Sequence, residues 1–263
     1  MLNLALDTAT PWGRFALAEG AALLAYRPLN IHGSYADALL PVIQELLDEA
    51  GRSREEVAGL GIVRGPGSFT GVRIGVATAK GLAYALGCEL VAVSTLEAMA
   101  AALLAEYPEA EAAAPALDAR RGEIFCGIFA RAGGWVAPVA VPCAGTPDAW
   151  WGRVVAAGVP LEGTIFGGDG AELLVGQGES LRAELRGRGE PSLRRWTSAH
   201  PRTAAALAVA MGDPAAGLPR IHPFALVPEY MRVSDAEIKQ RVDLTPLRPS
   251  GDVQAHRTER DDP

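Results

Sequence analysis

Residues 5–7 read Ala-Leu-Asp and lead through a short turn into Arg14-Phe15-Ala16-Leu17; residues 116–118 read Ala-Leu-Asp again and lead through a turn into Glu123-Ile124-Phe125-Cys126-Gly127-Ile128-Phe129. Two strand-turn-strand openings of the same kind mark a duplicated unit. In the first copy a third strand near 22–26 precedes a helix that begins about Ser34 and ends at Gly51. A strand over 60–63, a helix over 72–86 and a strand over 90–93 then form a βαβ passage. The first half therefore reads as a mixed sheet covered by helices.

Residues 65–75, Gly-Pro-Gly-Ser-Phe-Thr-Gly-Val-Arg-Ile-Gly, join that strand to that helix. So many glycines with a proline mark a backbone that needs unusual dihedrals or very close approach. The stretch is not a phosphate-binding P-loop, because Val72 and Arg73 stand where a Lys and a Ser or Thr must be. Nor is it a dinucleotide fingerprint, since its third glycine falls one place late. Gly71, Gly75, Ala79 and Ala83 recur every four residues and make a flat stripe at which another helix can approach. Leu39, Leu40, Ile43, Leu46 and Leu47 stand at helical spacing in the preceding helix, which Pro41 interrupts. Ser34 with Asp37 resembles a capping box, and Ser94-Thr95-Leu96-Glu97 forms another at the start of a helix through Leu104.

The second half is predicted to hold the hairpin 116–141, an irregular Trp-containing stretch at 148–153, a strand ending in Phe166-Gly167-Gly168-Asp169-Gly170, and an Ala-rich helix from about Arg202 to Met211. From Ile238 the chain is charged and loses periodicity, as a disordered tail does. The expected division is 1–106, 107–237 and 238–263.

The chain has 263 residues, 49% of them hydrophobic and 21% charged, with a net charge of −7. That is a globular composition with no run approaching a membrane span. The start Met1-Leu2-Asn3-Leu4-Ala5-Leu6-Asp7 lacks the basic segment of a signal peptide. Cys88, Cys126 and Cys143 are scattered and odd in number, which points to neither a disulfide framework nor a zinc ribbon and fits a cytoplasmic protein. The acidic balance disfavours the whole surface as a nucleic-acid binder, although Arg182, Arg186, Arg188, Arg194 and Arg195 form one local basic segment.

Asp7, Thr8 and Thr10 follow a strand, where carboxylates that handle phosphate and metal often sit, and Asp118 has the same place in the second copy. Gly168 and Gly170 flank Asp169 in a loop of similar character. These residues are the candidates for nucleotide chemistry, against the plainer reading that they form turns. His32, His200, His222 and His256 are isolated, so no metal cluster is expected. Ser68 lies outside any Gly-x-Ser-x-Gly elbow and has no assignable His partner, so no catalytic residue is assigned.

Taken in order, Leu6-Asp7-Thr8-Ala9-Thr10, Leu39-Leu40-Pro41, Gly65 to Gly75 with Ala79-Lys80-Gly81-Leu82-Ala83, Val93 to Glu97, Asp118 to Glu123 and Pro228-Glu229-Tyr230-Met231-Arg232 resemble the bacterial TsaB (YeaZ) family over most of residues 1–236. The resemblance implies an α/β fold of the actin/Hsp70/sugar-kinase (ribonuclease H-like) class, built from two related mixed-sheet halves with covering helices. It implies a degenerate paralogue of TsaD, without cofactor or chemistry of its own, that serves the threonylcarbamoyl modification of adenosine 37 in tRNA. TsaD-like members carry a His pair for metal in the helix corresponding to 34–50. Here Tyr35 and Asp37 stand near the place of the family's His-Ser-Glu, which removes even that histidine.

The partners implied are a TsaD-like catalytic paralogue, a TsaE-like P-loop ATPase, a second copy of the chain when alone, and tRNA only through the complex. Pairing in the family runs through the first two helices. The implied contact residues are Leu39, Leu40, Ile43, Leu46, Leu47, Gly71, Val72, Gly75 and Ala79, while Asp7, Thr8, Asp118, Gly168 and Gly170 are the candidate vestiges of a nucleotide site. The competing classes are an active nucleotide- or metal-dependent enzyme or glycoprotease-like hydrolase of the same fold, and autonomous tRNA binding through 182–195.

Overall fold

The strand β1 (Leu2–Asp7) is buried along its whole length, polar Asn3 and Asp7 included. A strand with both faces covered belongs in the middle of a sheet, and the computed structural model places it there. The structure describes residues 1–30, 35–156, 158, 161, 163–176, 192–193 and 202–231. The basic segment 182–195, apart from 192–193, and the tail from Ile238 lie outside the described residues, as do His32, Ser34, His200 and His256.

Five strands form the first sheet: β1, β2 (Trp12–Glu19), β3 (Ala22–Asn30), β4 (Val57–Val63) and β5 (Glu89–Val93), in the order β3-β2-β1-β4-β5. The first three run as an antiparallel meander, and β4 and β5 add parallel to β1. The second sheet repeats this with β6 (Ala112–Arg120), β7 (Glu123–Ala132), β8 (Trp135–Gly145), β9 (Thr164–Gly167) and β10 (Ser192–Leu193), in the order β10-β9-β6-β7-β8. Its meander is again antiparallel and its last two strands parallel to the first. The same five-strand topology occurs twice, which is the duplicated α/β arrangement of the actin/Hsp70/sugar-kinase class.

Helices α1 (Tyr35–Glu49) and α2 (Phe69–Leu86) cover one face of the first sheet. α1 buries Leu39, Val42, Ile43, Leu46 and Leu47, and α2 buries Gly71, Val72, Gly75, Val76, Ala79 and Ala83. Pro41 sits inside the helix on its exposed side, away from the sheet. The other face is covered by a helix from the far end of the chain, named α6 below (Thr203–Ala210). Gly59 and Gly61 of β4 leave room for it: a Cβ at Gly61 would sit 2.9 Å from Leu207 Cγ and 2.7 Å from Met211 Sδ. No local signal predicts that 203–210 returns to the first sheet.

Between the halves runs α3 (Thr95–Glu106), which is apolar nearly all round and buried accordingly. It starts as its sequence predicts: Glu97 accepts from Ser94 N at 2.8 Å and Ser94 Oγ from Leu96 N at 3.2 Å. At its other end Arg131, on β7, donates to the carbonyls of Leu104 (2.6 Å) and Tyr107 (3.3 Å), so a residue distant in sequence satisfies carbonyls that the helix leaves open. Alternation along β7 divides the second core. Phe125 and Phe129 face α3, while Ile124, Cys126 and Ile128 face α4 (Pro147–Ala156) and α5 (Ala171–Gly176).

The stretch 148–153, expected to be irregular, is part of α4. Two adjacent tryptophans weaken the helical signal, yet Trp150, Trp151 and Val154 are spaced to reach one core. Trp151 meets its polar need by donating to Leu174 O at 2.9 Å. The expected hairpin 116–141 is three strands, extending from Ala112 to Gly145.

Leu207 is fully buried against the first sheet, so Leu207→Ala should lower stability by about 2–5 kcal/mol. Urea unfolding followed by circular dichroism measures this, and an unchanged midpoint would mean that α6 contributes little to that core.

Candidate functional site

The ends of β1 and β4 lie side by side, with Asp7 opposite Val63. Each strand then runs into one of the segments singled out in the sequence. Asp7 is fully buried. Its Oδ1 accepts from Ala9 N at 2.9 Å, and its Oδ2 accepts from Arg14 Nη1 at 3.1 Å and from the Thr203 hydroxyl. Arg14, 3% exposed, also donates to Thr10 Oγ1 (2.8 Å) and to Trp12 O (3.0 Å). Its Nε has no hydrogen-bond partner among the described residues. A buried carboxylate is tolerable only when paired and hydrogen-bonded, and the chain supplies every partner Asp7 needs. Both carboxylate oxygens are engaged internally.

The Gly65–Gly75 segment is equally occupied. Ser68 N donates to Ala9 O at 2.6 Å, Thr8 Oγ1 to Gly71 O at 2.8 Å, and Thr95 N to Gly65 O at 2.7 Å. Ser68 caps α2 by accepting from Gly71 N at 3.3 Å. A Cβ at Gly67 would strike Ala9 O, at Gly71 the Thr8 carbonyl, and at Gly75 the Thr8 hydroxyl. Gly65, at φ 114°, passes beneath Glu229, whose N–H donates to Arg64 O at 2.8 Å. The Glu229 carboxylate stands 3.4 Å from Arg64 Nε, and burial pushes its pKa up against the pull of that guanidinium. The glycines therefore admit the chain's own backbone where a phosphate cradle would admit a ligand.

Gly71, Gly75 and Ala79 form a flat stripe, but it faces Thr8 and the sheet. Leu39, Ile43, Leu46, Leu47 and Val72 are likewise covered within the chain, because an amphipathic face spent on its own sheet is not left for a partner. Of the nine expected contact residues only Leu40 is substantially exposed, at 56%.

The second half repeats the device. Asp118 Oδ1 accepts from Arg120 N at 2.7 Å, and Asp118 N donates to Asp169 Oδ1 at 3.0 Å. Burial raises the Asp169 carboxyl above its ordinary value, opposed by that N–H and reinforced by the Asp118 charge. A Cβ at Gly168 would strike Ala116 O, and one at Gly170 would sit 2.6 Å from the Leu117 carbonyl carbon. A glycine loop after the fourth strand again lies on the end of the first. An open cavity of about 620 Å³ remains beside Asp118, Arg120, Arg121, Asp169 and Glu172. Both signs of charge line it. Among the described residues no group of three or more His, Cys, Asp and Glu could hold a metal ion, and no helix is long and apolar enough to cross a membrane.

Outside this occupied interior lies an apolar surface that sequence reasoning missed. Residues 222–231 run along α2: Phe224 stacks near Tyr84 at 6.1 Å, and Tyr230 near Phe69 at 5.2 Å. Arg73 lies 3.7 Å over the Phe69 ring and donates to the Tyr230 hydroxyl at 2.8 Å. Tyr84 and Phe224 are about three-quarters exposed, and Val227 is 55% exposed. Thr70, Ala77 and Gly81 also face outward from α2, and a Cβ at Gly81 would meet open space.

Arg14→Ala should cost about 3–5 kcal/mol, since it strands a buried carboxylate. Gly75→Ala should also destabilise, because Thr8 must move. Thermal unfolding checks both, and wild-type stability in Arg14→Ala would refute the assigned role of the pair.

A family model described as "TsaD: tRNA N6-adenosine threonylcarbamoyltransferase" matches residues 27–162. The tRNA threonylcarbamoyladenosine biosynthesis protein TsaB of Escherichia coli (strain K12) is 37% identical over 131 residues, 50% of this chain and 56% of that one. The TsaB of Haemophilus influenzae is 39% identical over 128 residues, 46% of this chain and 51% of that one. The chain thus spans about half the length of the curated relatives it matches. Over a longer stretch, the solved structure of YeaZ from Pseudomonas aeruginosa is 29% identical with a TM-score of 0.67, covering 87% of this chain and 99% of that one. The matched span includes α1, the Gly65–Gly75 segment, α2, α3 and the second meander, and on these grounds the chain belongs to the TsaD family and stands among its TsaB/YeaZ members.

Proposed function

We propose that this chain is a non-catalytic scaffold and activator in tRNA threonylcarbamoyladenosine biosynthesis, and that it works by docking on a TsaD-like paralogue. The observation that carries this reading is the engagement of Asp7. The carboxylate best placed for metal or nucleotide chemistry accepts from Arg14, Thr203 and Ala9 and is closed off from solvent. A group so employed is not available to a magnesium ion or a substrate. In the second half the Asp169 carboxylate accepts from Asp118 N and so ties the two loops together, while the Asp118 side chain stays partly exposed beside the open cavity.

With the inner faces of α1 and α2 committed to the sheet, docking falls to their outer faces. Gly81 supports this. A glycine inside a helix costs roughly 1 kcal/mol relative to Ala, and here nothing among the described residues occupies the space over it. With Ala77 and Thr70 it makes an outward small-residue face near exposed Tyr84, and Leu40 is exposed on α1. Such a face suits close approach of a partner helix. In this reading the chain pairs with itself when alone, supports recruitment of a TsaE-like ATPase, reaches tRNA only through the complex, and acts in the cytoplasm. Residues 1–106 carry the docking helices, 107–237 carry the second sheet with Thr203–Ala210 of that stretch returned to the first sheet, and 238–263 form a tail.

Gly75→Arg is no test of docking, since it would break the contact with Thr8. Ala77→Arg and Gly81→Arg should instead keep the far-ultraviolet circular dichroism and thermal midpoint of the wild type while weakening capture of the TsaD-like paralogue at least about tenfold. Undiminished capture by both variants would place the contact elsewhere. Calorimetry with ATP and magnesium separates this reading from an active enzyme of the same fold: negligible heat is expected, and tight binding would favour the enzyme.

A further inference from the structure

Cys126 and Cys143 stand directly opposite one another on the antiparallel strands β7 and β8. Directly opposed residues share a face, and both lie against the cluster formed with Ile124, Ile128, Trp150 and Trp151. Opposed Cβ atoms in such a pair are about 4.5–5.5 Å apart, and a disulfide needs about 3.5–4.5 Å, so closure asks for an approach of roughly an ångström.

The local ladder is built to allow it. The register slips immediately beyond the pair: Cys126 opposes Cys143, but Ile128 opposes Ala140, so β8 carries one extra residue there. The slip falls at Gly127 and Pro142, where a Cβ on the glycine would meet the proline ring at 3.2 Å. Pro142 has no N–H to give the ladder. Among the described residues β8 is also the edge of its sheet, paired on one side. An edge strand with a bulge and a missing ladder bond can shift where a central strand cannot.

We propose that Cys126 and Cys143 form a redox pair, a cross-strand dithiol that a small disulfide of the glutathione class closes into a bond joining β7 to β8. Their accessibilities set the order of events. Cys143 is partly exposed, whereas Cys126 is buried, and burial, reinforced by its neighbour Cys143, holds the Cys126 thiol well above its ordinary pKa. The Cys143 thiolate attacks one sulfur of glutathione disulfide; the S–S bond breaks and one glutathione leaves, taking up a proton. Cys126 then loses its proton and attacks the Cys143 sulfur, expelling the second glutathione. Two thiols are oxidised, one glutathione disulfide is reduced to two glutathiones, and protons and electrons balance. Cys88, on the first half and without a cysteine opposite, takes no part.

The full chain is incubated natively with glutathione disulfide, quenched in acid, alkylated under denaturing conditions, digested and weighed. Joined peptides containing Cys126 and Cys143, with Cys88 alkylated, are expected. Cys143→Ser should slow the loss of the Cys126 thiol by at least about tenfold. Recovery of alkylated Cys126 beside a Cys143 that carries glutathione or remains free, or a bond that includes Cys88, would overturn the proposal. Unchanged circular dichroism through the incubation fixes the result to the folded chain.

Discussion

A carboxylate with no access to water must be answered by the protein around it, and Asp7 makes that demand at the centre of the first half. Arg14 answers from the neighbouring strand, Ala9 from the turn, and Thr203 from a helix 196 residues away. The last of these ties the fold together. Thr203 opens α6, which covers the face of the first sheet that α1 and α2 leave bare and packs on α3, the helix between the two halves. Losing one partner of the pair would uncover a charge at a junction of sheet, turn and helix. That is why the site reads as architecture before it reads as chemistry.

The second constraint is closeness. In each half the loop after the fourth strand folds onto the end of the first, so near that a methyl group at Gly67, Gly71, Gly168 or Gly170 would enter backbone. The duplication therefore extends beyond the strand order to a repeated glycine device. In the first half this device fills with protein the space that a ligand would need, and α2 is drawn onto Thr8. With its inner side thus spent, α2 has only its outer side, and the aromatic strip beside it, to offer to other molecules.

Much of this was legible in the sequence. The Ala-Leu-Asp echo identified the duplication because strand-turn-strand patterning is local, and the Ser94-Glu97 box located the start of α3 because capping is local as well. The glycines of 65–75 correctly signalled close approach. What approached was not legible: the stripe of Gly71, Gly75 and Ala79 has the same spacing whether it meets a partner's helix or Thr8 of its own chain. Thr203 as a ligand of Asp7, α6 against the first sheet, and Tyr230 near Phe69 all depend on contacts between residues far apart in the chain, which periodicity does not carry. The two tryptophans of α4 obscured a helix whose burial explains them.

The central claim is that the interior of the first half is closed and its outer helical surface is what functions. Amide hydrogen exchange, compared for the chain alone and mixed with the TsaD-like paralogue proposed as its partner, tests this most directly. Slowed exchange concentrated in 69–86 and around Leu40 of α1, with 7–14 unchanged, is the predicted result. Protection centred on 7–14 or on the second sheet, with α2 unaffected, would contradict it.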